Sequence, residues 1–230
     1  MQRFEIVRLA GRPLLLAVIP LVAIVAMPVA AAQNQRSGAQ QPAAQQTGAQ
    51  QPAAAEIPPV LLSTQHLKLT NIKVGDKLPA AELVNARTPE GDRQPLSLRH
   101  GRAATVVTLF RGRGRMTRTM LRDLRHDVAE TYADLEADGP EAKRAVTTTA
   151  IAIDMPADEA LAVAEQTGYT GPVALDPEGQ YFAQIGTERL PRVFVLDAEG
   201  TVVWMDIEYS QATRRELRQT LRALTAKLRQ

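Results

Sequence analysis

Residues 104–118 read ATVVTLFRGRGRMTR, and this stretch joins the three features that decide the fold. Ala104 to Phe110 is a dense apolar and β-branched run, typical of a strand that is buried on both faces of a sheet. The glycines and arginines that follow predict a loop. From Thr117 to about Asp138, apolar residues then recur at the helical period: Leu121, Leu124, Val128, Tyr132 and Leu135. The stretch therefore predicts a buried strand, a loop and an amphipathic helix.

The rest of the chain from residue 74 onward continues the alternation of strands and helices. Two short extended pieces between Val74 and Leu98 predict a hairpin arm, with its turn at Thr88 to Gly91. The further predictions are a strand at 146–153, a helix at 156–167, paired strands at 192–196 and 201–207, and a last helix with Leu217, Leu221, Leu224 and Leu228 on one face. This order predicts an α/β fold, in which a small mixed sheet is flanked by helices and preceded by a β-hairpin arm.

Residues 1–32 predict a signal peptide. Arg3, Arg8 and Arg12 precede an uninterrupted apolar run from Pro13 to Ala32, which ends in the small residues that a signal peptidase accepts. The alternative is an uncleaved membrane anchor, because the run is long enough to cross a bilayer, although its prolines disfavour a continuous helix. We therefore expect a periplasmic or extracellular domain, or one that is anchored to the inner membrane by residues 13–32.

Residues 33–60 are dominated by Gln, Ala, Pro and Gly, and the motif GAQQPAA at 38–44 recurs at 48–54. Such a segment has few large apolar side chains to offset its ordering entropy, so the sequence predicts a disordered linker. The predicted domain occupies residues 61–230.

Composition excludes several classes of function. The chain has no cysteine among its 230 residues, which excludes disulfides, thiolate metal sites and thiol catalysis. Without the first 33 residues it carries 24 basic and 24 acidic side chains, so no nucleic-acid partner is predicted. The three histidines, at 66, 100 and 126, are too widely spaced for a local ligand pair, and neither a metal nor a cofactor is predicted.

Four segments carry a resemblance to a known family: 74–79 (VGDKLP), 106–110 (VVTLF), 175–179 (LDPEG) and 190–200 (LPRVFVLDAEG). On these segments the chain resembles the thioredoxin-like superfamily. It is most similar to redoxins of the alkyl hydroperoxide reductase and thiol-specific antioxidant type, and to exported thioredoxins of the cytochrome-maturation type. The resemblance spans about Lys73 to Lys227. It implies a thioredoxin-like fold in which the peptide bond before Pro191 is cis and Pro191 lies beside the redox motif.

The redox motif of the family, Trp-Cys-X-X-Cys, is missing. A gapless placement puts Arg113 at the Trp, Gly114 at the first Cys and Thr117 at the second. A peroxiredoxin-style register, which starts from Phe110-Arg111-Gly112, shifts the motif by one or two residues. Neither register recovers a thiol, so no catalytic residue is predicted. The resemblance supports the fold and argues against the family's chemistry, which needs a thiolate.

The loop that replaces this motif is rich in arginine. Four arginines, at 111, 113, 115 and 118, predict an anion or acidic-partner site at the start of the helix, because cations there oppose the macrodipole unless an anion is bound. The alternative is a solvated arginine face that is balanced by Asp123, Asp127 and other acids. The spacing from Gly112 to Thr117 also suggests a dinucleotide-binding turn, but this signal is weak because Thr replaces the third glycine.

We expect a redox-inactive redoxin homologue that acts as a binding or scaffold module in the cell envelope. Its predicted partner is an envelope protein or a small anion, bound by Arg111, Arg113, Arg115, Arg118 and Pro191. Two alternatives stay open. The chain could retain a family-type antioxidant or oxidoreductase function by a route without cysteine, or it could be a structural spacer of the envelope.

Overall fold

The computed structural model describes residues 56–80, 83–88, 95–96, 100–135 and 144–228. The predicted leader, most of the predicted linker and residues 89–91 of the predicted hairpin turn lie outside these residues. Seven strands form one mixed sheet: β1 (Leu83–Asn85), β2 (Pro95–Leu96), β3 (Ala104–Phe110), β4 (Val146–Ile153), β5 (Val173–Asp176), β6 (Arg192–Leu196) and β7 (Val202–Asp206). The predicted α/β architecture, a small mixed sheet flanked by helices and preceded by a β-hairpin arm, is confirmed.

The sheet has the strand order β2-β1-β5-β4-β3-β6-β7. Strands β3, β4 and β5 are parallel, whereas β6 is antiparallel to β3 and to β7, and β1 is antiparallel to β2 and β5. Every residue of β3 is buried, as expected for an interior strand that lies between β4 and β6. The register pairs Phe110 with Ala152 and Leu109 with Arg192. The carboxyl ends of β3 and β4 and the beginning of β6 therefore meet at one edge of the sheet.

Five α-helices complete the described part of the fold: α1 (Thr64–Leu67), α2 (Arg115–Leu124), α3 (Ala157–Thr167), α4 (Gln180–Ile185) and α5 (Gln211–Thr225). The helix predicted from Thr117 begins two residues earlier, at Arg115, and it is α-helical only as far as Leu124. A π-helical segment, Arg125–Glu130, and a 3₁₀ turn, Ala133–Leu135, continue α2. Its predicted end near Asp138 lies outside the described residues.

Hydrophobic cores cover both faces of the sheet. Helices α2, α3 and α5 pack on one face, where Leu121, Val163 and Leu217 meet Trp204 in a single cluster. Helix α4 and the segment that contains Ile72 pack on the other face. Ile57 and Val60, which the sequence analysis assigns to the linker, also pack against the core. The packed chain therefore begins at least as early as residue 57.

The sequence analysis did not predict α1, β5 or α4. Strand β5 ends at Asp176 and α4 begins at Gln180. Both elements are short, and the Asp-Pro-Glu-Gly turn lies between them. The Asp176 carboxylate accepts hydrogen bonds from the backbone N–H groups of Tyr181 and Phe182, at 3.2 and 2.8 Å, and so fixes the start of α4. Within the described ranges, no helix has the length and apolar character needed to span a bilayer.

Candidate binding site at the start of helix α2

The loop between β3 and α2 lies at the edge of the sheet where β3 and β4 end. Gly112 has a positive φ of 64°, a conformation that glycine adopts without a steric penalty. Its N–H group lies 3.0 Å from the Sδ atom of Met155, which follows β4. This contact attaches the loop to the neighbouring strand's end and fixes the position from which α2 starts.

Helix α2 begins without a side-chain cap. Gly114 is the N-cap residue, and its carbonyl accepts the first helical hydrogen bond, from the Arg118 N–H, at 3.1 Å. Because glycine has no side chain, the N–H groups of the first turn receive no side-chain acceptor from the N-cap position. The first turn also contains no acidic residue. The helix start is therefore left positive by the backbone as well as by its arginines.

The two positions that correspond to the motif cysteines differ in their surroundings. Gly114 is exposed, and a Cβ atom added there would meet nothing within 4 Å. Thr117, in the first turn of α2, is buried, and its hydroxyl donates a long hydrogen bond of 3.4 Å to the Arg111 carbonyl. Neither group is a nucleophile that could take the place of a thiolate.

Three of the four predicted arginines already have partners within the domain. Arg111 forms an ion pair with Asp154, and the Nε atom of Arg113 donates to Glu159 at 3.0 Å. The guanidinium of Arg118 donates to the Arg113 carbonyl at 2.6 Å. Since both ion pairs are half-exposed, each contributes little to stability. They link the loop to the residue after β4 and to α3, and they partly neutralise its charge.

Arg115 and Met116 complete this surface. Both are exposed, and Met116 is 43% accessible, which makes it one of the few large apolar side chains on the described surface. Arg115 has no ion-pair partner among the described residues. We call Arg113, Arg115, Met116 and Arg118 the α2-start surface.

The interpretation of Asp123 and Asp127 as counter-charges for this arginine face is wrong. Both carboxylates are buried and face α5, where Arg214 holds them. The guanidinium lies 3.2 Å from an oxygen of Asp123 and 2.5 Å from one of Asp127. The hydrogen bond to Asp127 and the negative charges of both carboxylates raise the pKa of Arg214 above its usual value, against the opposing effect of partial burial. Acids elsewhere, Asp154 and Glu159, balance the loop instead.

Pro191 lies at the same edge of the sheet. The Leu190–Pro191 peptide bond is cis, which confirms the expectation from the resemblance. Because Arg192 pairs with Leu109, Pro191 stands beside Phe110, immediately before the arginine loop. Its side chain is buried, so it contributes to the site mainly by shaping the backbone next to the loop.

Sequence reasoning missed Asp154, Met155 and Glu159 as members of the site. The sequence contains the information needed to place them there, because β3 and β4 are predicted strands on either side of a helix, and two such strands are usually parallel neighbours. Residues that follow two parallel strands meet at one edge of the sheet. Asp154 follows β4 and Glu159 lies in the first turn of α3, so both acids face the arginine loop.

Comparison with known families identifies the fold's relatives. The Redoxin family model matches residues 73–222, well over half of the chain. The chain belongs to the Redoxin family. No curated protein matches it.

Three solved structures show the same fold as this Redoxin domain. A protein from Bacteroides thetaiotaomicron, provisionally assigned as a protein disulfide isomerase, has a TM-score of 0.54 and 23% identity over 68% of this chain and 92% of its own. A provisionally assigned thiol:disulfide interchange protein DsbE from Chlorobium tepidum has a TM-score of 0.54 and 21% identity, over 67% of this chain and 99% of its own. A conserved protein from Geobacillus kaustophilus has a TM-score of 0.53 and 19% identity, over 69% of this chain and 86% of its own.

The Redoxin domain therefore combines the family's fold with a chain that has no cysteine. In the described residues, no group of three or more metal-ligating side chains is found that could hold an ion. The geometry provides cations, an uncapped helix start and an exposed thioether side chain. None of these groups can form a mixed disulfide or a sulfenate.

The register of the lost motif can be tested by restoring it. Gly114→Cys combined with Thr117→Cys should form an intramolecular disulfide, because side chains at the N-cap and three residues later are neighbours and Gly114 has free space. The oxidised variant should show no free thiol in a thiol-titration assay, and the cysteine-free parent is the blank. If a folded double variant keeps two free thiols under oxidising conditions, the gapless register is contradicted and the shifted register is favoured.

Proposed function

We propose that this cysteine-free Redoxin domain is a binding module of the cell envelope, and that it binds a protein with an acidic surface through the α2-start surface. The family's thiol chemistry requires a residue that the chain lacks throughout its length. What the domain keeps is the position of the helix start and the proline beside it.

One observation carries the proposal: the first turn of α2 exposes Met116 between cationic side chains. Met and Arg are enriched in protein interfaces, where an apolar anchor is combined with groups that select the partner's charge. A small inorganic anion would need the guanidinium groups but would leave Met116 without a role. The exposed thioether therefore favours a protein partner.

The charge of the partner follows from the free groups of the site. Arg115 has no acidic partner in the described structure, and the N–H groups of the first turn lack a side-chain acceptor. An Asp or Glu side chain of a partner would accept from both. The pairs of Arg111 with Asp154 and Arg113 with Glu159 would hold the loop ready for this contact.

The proposed location in the cell envelope is inferred from residues 1–32, the predicted leader. Three arginines followed by an apolar run and small residues are typical of an export signal, and the Gln- and Pro-rich segment that follows is typical of a tether. A tethered domain without catalytic residues fits a module that brings a partner to the envelope. The alternative of a spacer without a ligand would leave the exposed Met116 unexplained.

Replacing Arg113, Arg115 and Arg118 together by Gln should abolish capture of the partner from an envelope extract, because the surface loses its charge while its shape is kept. The melting temperature should change by no more than about 2 °C, since exposed ion pairs contribute roughly 0–1 kcal/mol each. Affinity capture with the full chain, followed by mass spectrometry, measures the first effect, and circular dichroism measures the second.

The matched control removes three arginines from helix α5, by Arg215→Gln, Arg218→Gln and Arg222→Gln, so that the charge change is the same. Capture should survive in this control. Unchanged capture by the α2 variant would refute the proposal in favour of the spacer. A large loss of stability in the α2 variant would show instead that these arginines are structural.

A further inference from the structure

The outward face of helix α5 carries a second concentration of positive charge. Its residues line a shallow depression of about 380 Å³, and all of them are arginine or glutamine from this one helix: Gln211, Arg214, Arg215, Arg218, Gln219 and Arg222. We call Arg215, Arg218 and Arg222 the α5 arginine face. Because a helix rises 1.5 Å per residue, this surface extends along α5 for roughly 16 Å.

These arginines are largely uncompensated, in contrast to Arg214. Arg214 turns towards Asp123 and Asp127 and is neutralised there. Arg215 is 73% exposed and lies 3.5 Å from the Glu216 carboxylate, a loose pair that solvent screens. Over the described ranges, Arg218 and Arg222 have no carboxylate within ion-pair distance. The face therefore presents cationic groups that are free to bind an anionic partner.

The surface is also the place where the preceding chain reaches the domain. The side-chain amide of Gln219 donates a hydrogen bond of 3.0 Å to the Glu56 carbonyl, at the first residue that the structure describes. The predicted tether therefore joins the domain beside the α5 arginine face. The apolar run of residues 13–32 precedes this tether in the sequence and is predicted to target the chain to a membrane.

We propose that the α5 arginine face docks on an anionic phospholipid surface. Guanidinium groups bind phosphate oxygens through paired hydrogen bonds, and Arg near an anionic leaflet strengthens membrane binding. A phospholipid surface offers many phosphates in one plane, which suits a row of arginines along a single exposed helix. This docking would orient the domain at the membrane, whatever binds to the α2-start surface.

The chemistry of the face favours lipid over an acidic peptide. The depression is lined by one helix alone, without an opposing wall and without an apolar side chain. Peptides bind tightly where apolar anchors enter desolvated pockets, which this surface lacks. A lipid headgroup layer needs only accessible cations, since the attraction is electrostatic and acts without close shape complementarity.

Co-sedimentation of the full chain with vesicles tests this proposal. One set of vesicles contains phosphatidylcholine alone, and the other contains about one third phosphatidylglycerol, which supplies the anionic surface. Residues 13–32 can insert into both sets, so the measured quantity is the ratio of the two affinities. We expect a clear preference of the native chain for the anionic vesicles, weakening as salt rises because the Debye length shortens.

The variant Arg215→Gln/Arg218→Gln/Arg222→Gln should reduce this preference by about a hundredfold, since each Arg near the surface strengthens binding about fivefold and the three factors multiply. The variant Arg113→Gln/Arg115→Gln/Arg118→Gln removes the same charge from α2 and should keep the preference. Because the two triple variants are also the pair used for partner capture, failure of one proposal is distinguishable from failure of the other. The single variant Arg218→Gln changes only one residue of the helix. It should reduce the preference for anionic vesicles by about fivefold.

Four results would overturn the proposal. The native chain could bind both vesicle types equally, or the α5 variants could keep the full preference. The α2 variant could lose as much of the preference for anionic vesicles as the α5 variant, which would assign the preference to the overall charge of the domain. Binding of a poly-glutamate peptide that depends on the α5 arginine face, without a preference for anionic vesicles, would assign the face to an acidic protein and also overturn the lipid proposal.

Discussion

Replacing Arg214 by Met should lower the free energy of unfolding by about 2–3 kcal/mol, below the usual cost for a fully buried ion pair because the Arg214 side chain is 30% exposed. Arg214 holds both Asp123 and Asp127, and it donates at 3.0 Å as well as 2.5 Å to the two oxygens of Asp127. Asp123 also accepts a hydrogen bond of 2.8 Å from the Tyr209 hydroxyl. Without the guanidinium, two buried carboxylates of like charge would lie side by side on the α2 side of the contact with α5, with no cation to pair with them.

Urea unfolding, followed by circular dichroism, measures this loss. Arg218→Met on the same helix is the matched control and should change stability by less than about 0.5 kcal/mol, as exposed substitutions usually do. Adding Asp123→Asn and Asp127→Asn to Arg214→Met should restore much of the stability, because the stranded charges are then removed. A loss below about 1 kcal/mol for Arg214→Met would contradict the role of Arg214 as the charge that joins these helices.

Gly186→Ala should lower the free energy of unfolding by about 3 kcal/mol, at the upper end of the cost of overpacking a core. A Cβ atom at position 186 would lie 2.3 Å from the Leu69 carbonyl oxygen and 2.3 Å from a guanidinium nitrogen of Arg192. The backbone oxygen cannot move aside cheaply. The glycine is therefore required by the close approach of two chain segments and a buried arginine.

Arg192 makes this clash more costly, because its fully buried guanidinium depends on backbone carbonyls. It donates to Leu69 at 2.7 Å, to Thr187 at 2.5 Å and to Arg189 at 2.9 Å, and it lies 5.0 Å from the centre of the Phe182 ring. Burial lowers the pKa of Arg192 to about 10. Displacing the guanidinium would leave these carbonyls without their donor, at the cost of unsatisfied buried polar groups.

Thermal and urea unfolding of Gly186→Ala can be compared with Gly114→Ala, a glycine that has nothing within 4 Å of an added Cβ. This control should cost about 1 kcal/mol, since it loses only the preference of an N-cap for Gly over Ala and creates no clash. If Gly186→Ala were as mild as the control, Arg192 and the Leu69 segment would have to rearrange freely, which contradicts the packing described above.

The central strands and long helices could be predicted from the sequence because their patterns are local. Seven consecutive apolar or β-branched residues in β3 have only one good location, the centre of a covered sheet. Helix α3 ends at Gly168, which adopts the left-handed conformation expected of a C-cap. By contrast, β5 has four residues and α4 has six, too short for a period to show.

The composition of the candidate site could be predicted from the sequence, but its pairing could not. The four arginines and the missing thiols are visible in residues 111–118 alone. That Asp154 and Glu159 contact them depends on the alignment of two strands and a helix. Asp123 and Asp127 are close to the arginines in sequence but are held by Arg214, some ninety residues later. The short distance along the helix between these acids and the arginines suggested the wrong pairing. The buried contact of the acids with Arg214 on α5 outcompetes an exposed contact with the arginine loop.

The most direct test of the central claim is site-specific photo-crosslinking at position 116 in living cells. A photoreactive phenylalanine analogue in place of Met116 would report what contacts the α2-start surface. The same analogue in place of Gln184, which is exposed on α4 at the opposite face of the sheet, is the control. We predict a covalent adduct with one envelope protein from position 116, absent from position 184 and lost when Arg113, Arg115 and Arg118 are replaced by Gln. No adduct at position 116, or the same adducts from both positions, would contradict the claim that this cysteine-free Redoxin domain acts by binding a protein partner.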